Sequence, residues 1–123
     1  MSENYRRFEA GPDPFGRTWT VEFRWLQVAI SIRHSDTIDV KFQLRQGEDT
    51  EEKVIALPHP DLVAVSKNLG RPLTDPWCMK VAAIHLREMI VMDSDMDKDL
   101  ITVTAEDLLR HANNLGRPVG APR

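Results

Sequence analysis

From Thr18 to Arg45 apolar and polar residues alternate almost without a break, and a period of two is the signature of an extended backbone with one face buried and the other in water. Trp19, Val21, Phe23 and Trp25 fall on one face, with Thr18, Thr20, Glu22 and Arg24 on the other. From Leu26 the phase slips by one: Leu26, Val28, Ile30 and Ile32 are separated by Gln27, Ala29, Ser31 and Arg33. A straight strand would turn one of these sets to solvent, so a β-bulge or sharp bend is predicted at Trp25 and Leu26. Length requires the same, because an unbent strand from 18 to 33 would run roughly 50 Å at about 3.3 Å per residue, too long for so small a domain. Such a bend leaves one arm of the sheet free to pair elsewhere.

The next alternating set is Ile38, Val40, Phe42 and Leu44, preceded by His34, Ser35, Asp36 and Thr37, which have turn chemistry. The two runs make a hairpin. Opposed residues share a face, so Ile32 is expected opposite Ile38 or Val40, with a loop of three or five residues centred on Ser35 to Thr37. Gln46 to Glu52 has no periodicity and reads as an exposed acidic turn. Lys53 to Leu57 reads as a short third arm, ended by Pro58 and Pro60, which lack the amide proton of a sheet ladder.

Beyond Pro60 the period changes to that of helices. Leu62, Val65 and Leu69 form one stripe, with Gly70 as the stop. Thr74 or Asp75 then caps a longer helix from Pro76 to about Met92. At about 100° per residue, Cys78, Val81, Ala82, His85, Leu86 and Met89 share one side, and Lys80, Arg87 and Glu88 lie opposite. Trp77, Ile84 and Val91 sit close to the charged side, so this helix is apolar on more than half its circumference, which calls for neighbours on two sides. A strand is expected at Leu100 to Val103. A final helix runs from about Ala105 to Leu115, with Ala105, Leu108, Leu109, Ala112 and Leu115 inward and His111 flanking its polar side. Thr104 and Asp107 resemble its capping box.

The fold this implies is α+β: an antiparallel meander of three or four strands, bulged near Trp25 and Leu26, covered on one face by C-terminal helices. At 123 residues the whole chain reads as a single domain able to bury a core, with loose termini at about 1–15 and 117–123. One cysteine forms no intramolecular disulfide, no apolar run approaches ~20 residues, and the first residues lack the apolar segment of a secretion signal, so cytoplasm is the expected compartment. No membrane role is expected.

The net charge of −3 offers no overall attraction to nucleic acid. Arg17, Arg24, Arg33, Lys41 and Arg45 lie on polar sheet positions, but Trp19 and Phe23 alternate away from them, so a stacking platform and a basic patch do not coincide and no nucleic-acid partner is expected. Cys78 and His85 are separated by about 10.5 Å of helix rise, well beyond the reach of a catalytic dyad. Asp93, Asp95, Asp97 and Asp99 resemble the start of a calcium loop, but Lys98 stands where the turn needs Gly and Thr104 where the loop needs its bidentate Glu. The segment is then either hydrated and mobile or a weak Ca²⁺ or Mg²⁺ site. No catalytic, cofactor-binding or metal-binding residue is assigned.

Two functional readings follow. The first is a small interaction domain, a homodimer or a partner-docking module, contacting its partner through Trp77, Ile84 and Val91. The second is a small-molecule-binding protein or small enzyme with a cavity between sheet and long helix near His85, with His59, Asp75 and the Trp19 to Trp25 stripe as further candidates. The absence of a nucleophile on a recognisable turn and of paired carboxylates in an apolar setting favours the first.

Overall fold

A computed structural model describes residues 5–30, 36–70 and 72–116. The chain runs β1 (Arg7–Ala10), β2 (Trp19–Ala29), β3 (Thr37–Gln46), β4 (Asp49–Pro58), α1 (His59–Leu69), α2 (Asp75–Met92), β5 (Leu100–Thr102) and α3 (Ala105–Gly116). The strands form a five-stranded sheet in the order β1-β2-β3-β4-β5. Neighbours are antiparallel except β5, which returns parallel to β4 after the two-helix crossover. The fold is α+β, with the three helices packed on one face of the sheet. No described helix is long and apolar enough to cross a membrane.

The alternation in the first half sets the inner face. Val21 opposes Leu44, Phe23 opposes Phe42, and Val40 opposes Ile55; Val21, Val40, Phe42, Leu44 and Ile55 are fully buried. Leu62 and Val65 of α1, Leu86 and Ile90 of α2, and Leu108 of α3 close over them. Each helix starts or stops where its flanking residues dictate. Thr74 Oγ1 accepts from Trp77 N–H at 3.3 Å, Thr104 Oγ1 accepts from Asp107 N–H at 3.2 Å, and Gly70 ends α1 in the left-handed region at φ 64°.

Several expectations are corrected. The bulge lies between Phe23 and Trp25, making Arg24 the extra residue, one position earlier than the phase slip at Trp25 and Leu26 suggests. Trp25 therefore leaves the Trp19 face and pairs with Lys41, whose Nζ stands 5.6 Å from its ring centroid. The hairpin obeys the same-face rule with different partners: Val28 opposes Ile38 and Leu26 opposes Val40. Since β2 ends at Ala29 and β3 begins at Thr37, the connection covers positions 30–36, longer than either three or five residues. Alternation fixes which faces meet but not how far along they meet. Ile32, Arg33, His34 and Ser35 lie outside the described residues.

The acidic run is mostly strand, with only Gly47 and Glu48 turning. Exposed positions of a ladder need no apolar side chain, and Glu52 is held by Lys41 at 3.0 Å. The segment 7–10, expected to be loose, is the strand β1, pairing Phe8 with Val21 and Ala10 with Trp19. On α3, His111 points inward and is fully buried while Leu109 is exposed, because α2 offers His111 a hydrogen-bond partner. The expected tail at 117–123 lies outside the described residues.

Candidate functional site

The buried histidine of α2 meets a second histidine that sequence periodicity places on the polar side of α3. His85 Nδ1 and His111 Nε2 are 3.0 Å apart, with the rings edge to face at a centroid distance of 5.2 Å. Spacing of three from Leu108 and four from Leu115 was the available signal that His111 belongs to the inner face. Its Nδ1 is buried without a hydrogen-bond partner among the described residues. An orphaned lone pair costs less than an orphaned N–H, which assigns His111 Nε2–H as donor to His85 Nδ1 and leaves His85 Nε2–H for the cleft alongside. Burial holds both rings below the ordinary histidine range, and for His111 the charge of a protonated His85 acts in the same direction.

That cleft is about 120 Å³, lined by His85, Glu88, Asp95, Thr102, Thr104 and Asp107 among others. Arg110 ties two of the lining carboxylates together, with Nη2 donating to Glu88 Oε1 and to Asp107 Oδ1, each at 2.8 Å. These bonds hold both carboxyls below their ordinary range. The space suits a few waters and falls short of the several hundred Å³ of a typical small-molecule pocket. The other enzyme candidates do not converge on it. His59 sits exposed at the start of α1 with its N–H donated to Asp36 O at 2.8 Å, Asp75 is exposed, and Trp19 is buried while Trp25 stands with Lys41. Burial, with a smaller contribution from Asp75, pushes the Cys78 thiol up to about 12, so it is a core group rather than a nucleophile.

Lys53 occupies an inner-face position opposite Phe42 and is 1% exposed. Its Nζ donates to Met96 O at 2.9 Å and to Lys98 O at 2.6 Å. The acidic segment 93–99 thus folds over the chain's own lysine, with Asp93 closing α2 in the left-handed region and Asp95 paired to Lys98 at 3.2 Å. No group of three or more His, Cys, Asp or Glu among the described residues is placed to hold a metal ion.

The stripe on α2 is split. Trp77 packs against the core, Ile84 is half-buried, and Val91 is 44% exposed. The basic residues of the sheet are largely matched by acids: Arg17 with Asp13 at 2.8 Å, Arg24 with Glu22 at 3.1 Å, and Lys41 with Glu52 at 3.0 Å.

The surface that sequence reasoning located only as a free arm is the outer edge of β2. β1 pairs no further along β2 than Glu22, with one more bond from Phe23 N–H to Arg6 O at 2.7 Å. From Arg24 to Ala29 no strand among the described residues covers that side. The bulge at Arg24 falls where the described pairing with β1 stops. Six consecutive residues, Trp25 to Ile30, carry no charge, and Val28 and Ile30 are 62% and 83% exposed. A cleft of about 300 Å³ runs beside the edge, lined by Phe23, Trp25 and Leu26 on the strand, by Arg6 just before β1, and by Asp75, Pro76 and Met79 at the start of α2. Proteins blunt open edges with charge, proline or brevity. β5 is three residues long and β1 carries Arg7 and Glu9, whereas the stretch after Arg24 has none of these.

Compared with known protein families, curated proteins and solved structures, the chain matches none.

Proposed function

We propose that this chain is a protein-recognition domain that takes up an extended segment by strand addition along the outer edge of β2. The observation that carries this reading is the uncharged edge from Trp25 to Ile30, with no strand beside it among the described residues and a cleft alongside. Main-chain groups on such an edge supply affinity, and alternate side chains on the incoming strand supply selectivity. The split stripe of Trp77, Ile84 and Val91 is a weaker contact surface, because Trp77 is already held by the core. The small-molecule reading beside His85 has only the 120 Å³ cleft to support it. Cytoplasm is the compartment proposed for this activity, consistent with a buried free cysteine.

A selection of extended peptides from a random library, counter-selected on Val28→Lys/Ile30→Lys, tests the proposal. Binders with alternating apolar residues that slow amide exchange between Arg24 and Ala29 are expected. Binders that leave those amides unchanged and protect α2 instead would overturn it.

A further inference from the structure

Resting on that reading, we infer that the added strand is β2 of a second copy, antiparallel across a two-fold axis at Val28. In this register Val28 faces Val28 of the second copy, Leu26 faces Ile30, and Gln27 faces Ala29, so apolar meets apolar at every position on the inner face. The two most exposed β-branched residues of the edge, at 62% and 83% exposure, are covered by the same step. An axis lying between residues would set Gln27 against an apolar residue and break the face match, because side chains alternate with a period of two. An axis at Gln27 places Arg24 against Ile30.

Charge favours a copy of the same segment. Leu26 to Ile30 contains no ionisable residue, so the two-fold brings no like charges together across the strands, and a net charge of −3 per chain is a small long-range repulsion. Arg24, paired to Glu22 at 3.1 Å, lies outside the five facing residues. The bulge that ends β1 pairing thus also delimits the interface.

The test uses the full chain. Multi-angle light scattering is expected to give twice the chain mass at high micromolar concentration, with Val28→Lys/Ile30→Lys weakening association at least 100-fold; at dilutions where both chains are monomeric their melting temperatures should nearly coincide, since both residues are exposed in the single chain. Cysteine substitutions fix the register. Val28→Cys is expected to form a disulfide dimer under mild oxidation, because directly opposed antiparallel residues have Cα atoms about 4.5 to 5.5 Å apart, within disulfide range. Leu26→Cys is not, since its own mate lies four residues away, about 13 Å. Native Cys78 is fully buried and does not contribute. A wild-type chain that stays monomeric at several hundred micromolar overturns the second copy, leaving strand addition by a different chain to the peptide selection. A dimer indifferent to the lysine variant overturns the second copy on this edge and moves the dimer contact elsewhere, again leaving strand addition by a different chain to the peptide selection. Cross-linking through Leu26→Cys but not Val28→Cys overturns the register.

Discussion

Asp13 shows how one side chain orders a segment that composition marks as loose. Its Oδ1 accepts from the N–H groups of Phe15 and Arg17, each at 2.9 Å, and its Oδ2 from Arg17 Nε at 2.8 Å and Trp19 Nε1 at 3.2 Å. Burial on its own raises the carboxyl's pKa, but these donors, Arg17 N–H foremost, together bring it down from 3.8 to about 2. A depressed acid contributes stability that is complete above its unfolded value and is lost as pH falls through its folded value, here between about pH 4 and pH 2. Asp13→Asn is therefore expected to lower the melting temperature at pH 7 by several degrees and to flatten that acid limb; an unchanged limb would show that Asp13 is not the group responsible. The histidine pair acts at higher pH. Both rings are held neutral by burial, so the unfolded chain takes up protons below about pH 6.5 while the folded chain resists. Stability is complete above that pH and declines below it. His111→Leu should make the decline shallower, as read from urea midpoints between pH 7 and pH 5, and an identical slope would contradict the pairing.

Among the elements, alternation and capping were legible wherever a face or an end was decided by local chemistry. Thr74, Thr104 and Gly70 mark helix ends as their residue types predict, and β3 alternates between buried and half-buried positions over most of its length. What was illegible depended on partners distant in sequence. β1 exists because Phe8 and Ala10 find Val21 and Trp19, the inward turn of His111 depends on His85, and the position of the bulge depends on which residue of β3 pairs on either side of Arg24. Lys53 belongs to the same group: a lysine on an inner face is justified only by two carbonyls that lie 43 and 45 residues later. Lys53→Met would leave Met96 O and Lys98 O without that donor, at a cost of about 1–3 kcal/mol. Urea denaturation should show that loss together with faster amide exchange across 93–99. Equal stability and unchanged exchange would mean that the lysine does not anchor the acidic segment.

For the molecule as a whole, one face of the sheet is roofed by helices and, among the described residues, the β2 edge from Arg24 to Ala29 has no strand beside it. Phe42 and Phe23 meet edge to face at 6.2 Å beneath that roof, and Phe42→Ala should cost about 3–5 kcal/mol by leaving a cavity where the core is closed. Substitutions at Val28 and Ile30 should cost little, because neither is covered in the single chain. That contrast separates residues that hold the fold from residues the fold presents. The most direct measurement of the open edge is hydrogen exchange along β2 at low and high protein concentration. Alternate amides between Trp25 and Ala29 should be fast at the lowest concentration and slow as it rises while those of β3 and β4 stay constant; amides already slow at the lowest concentration would contradict an edge left open for pairing, and fast amides that never change would contradict its pairing with a second copy.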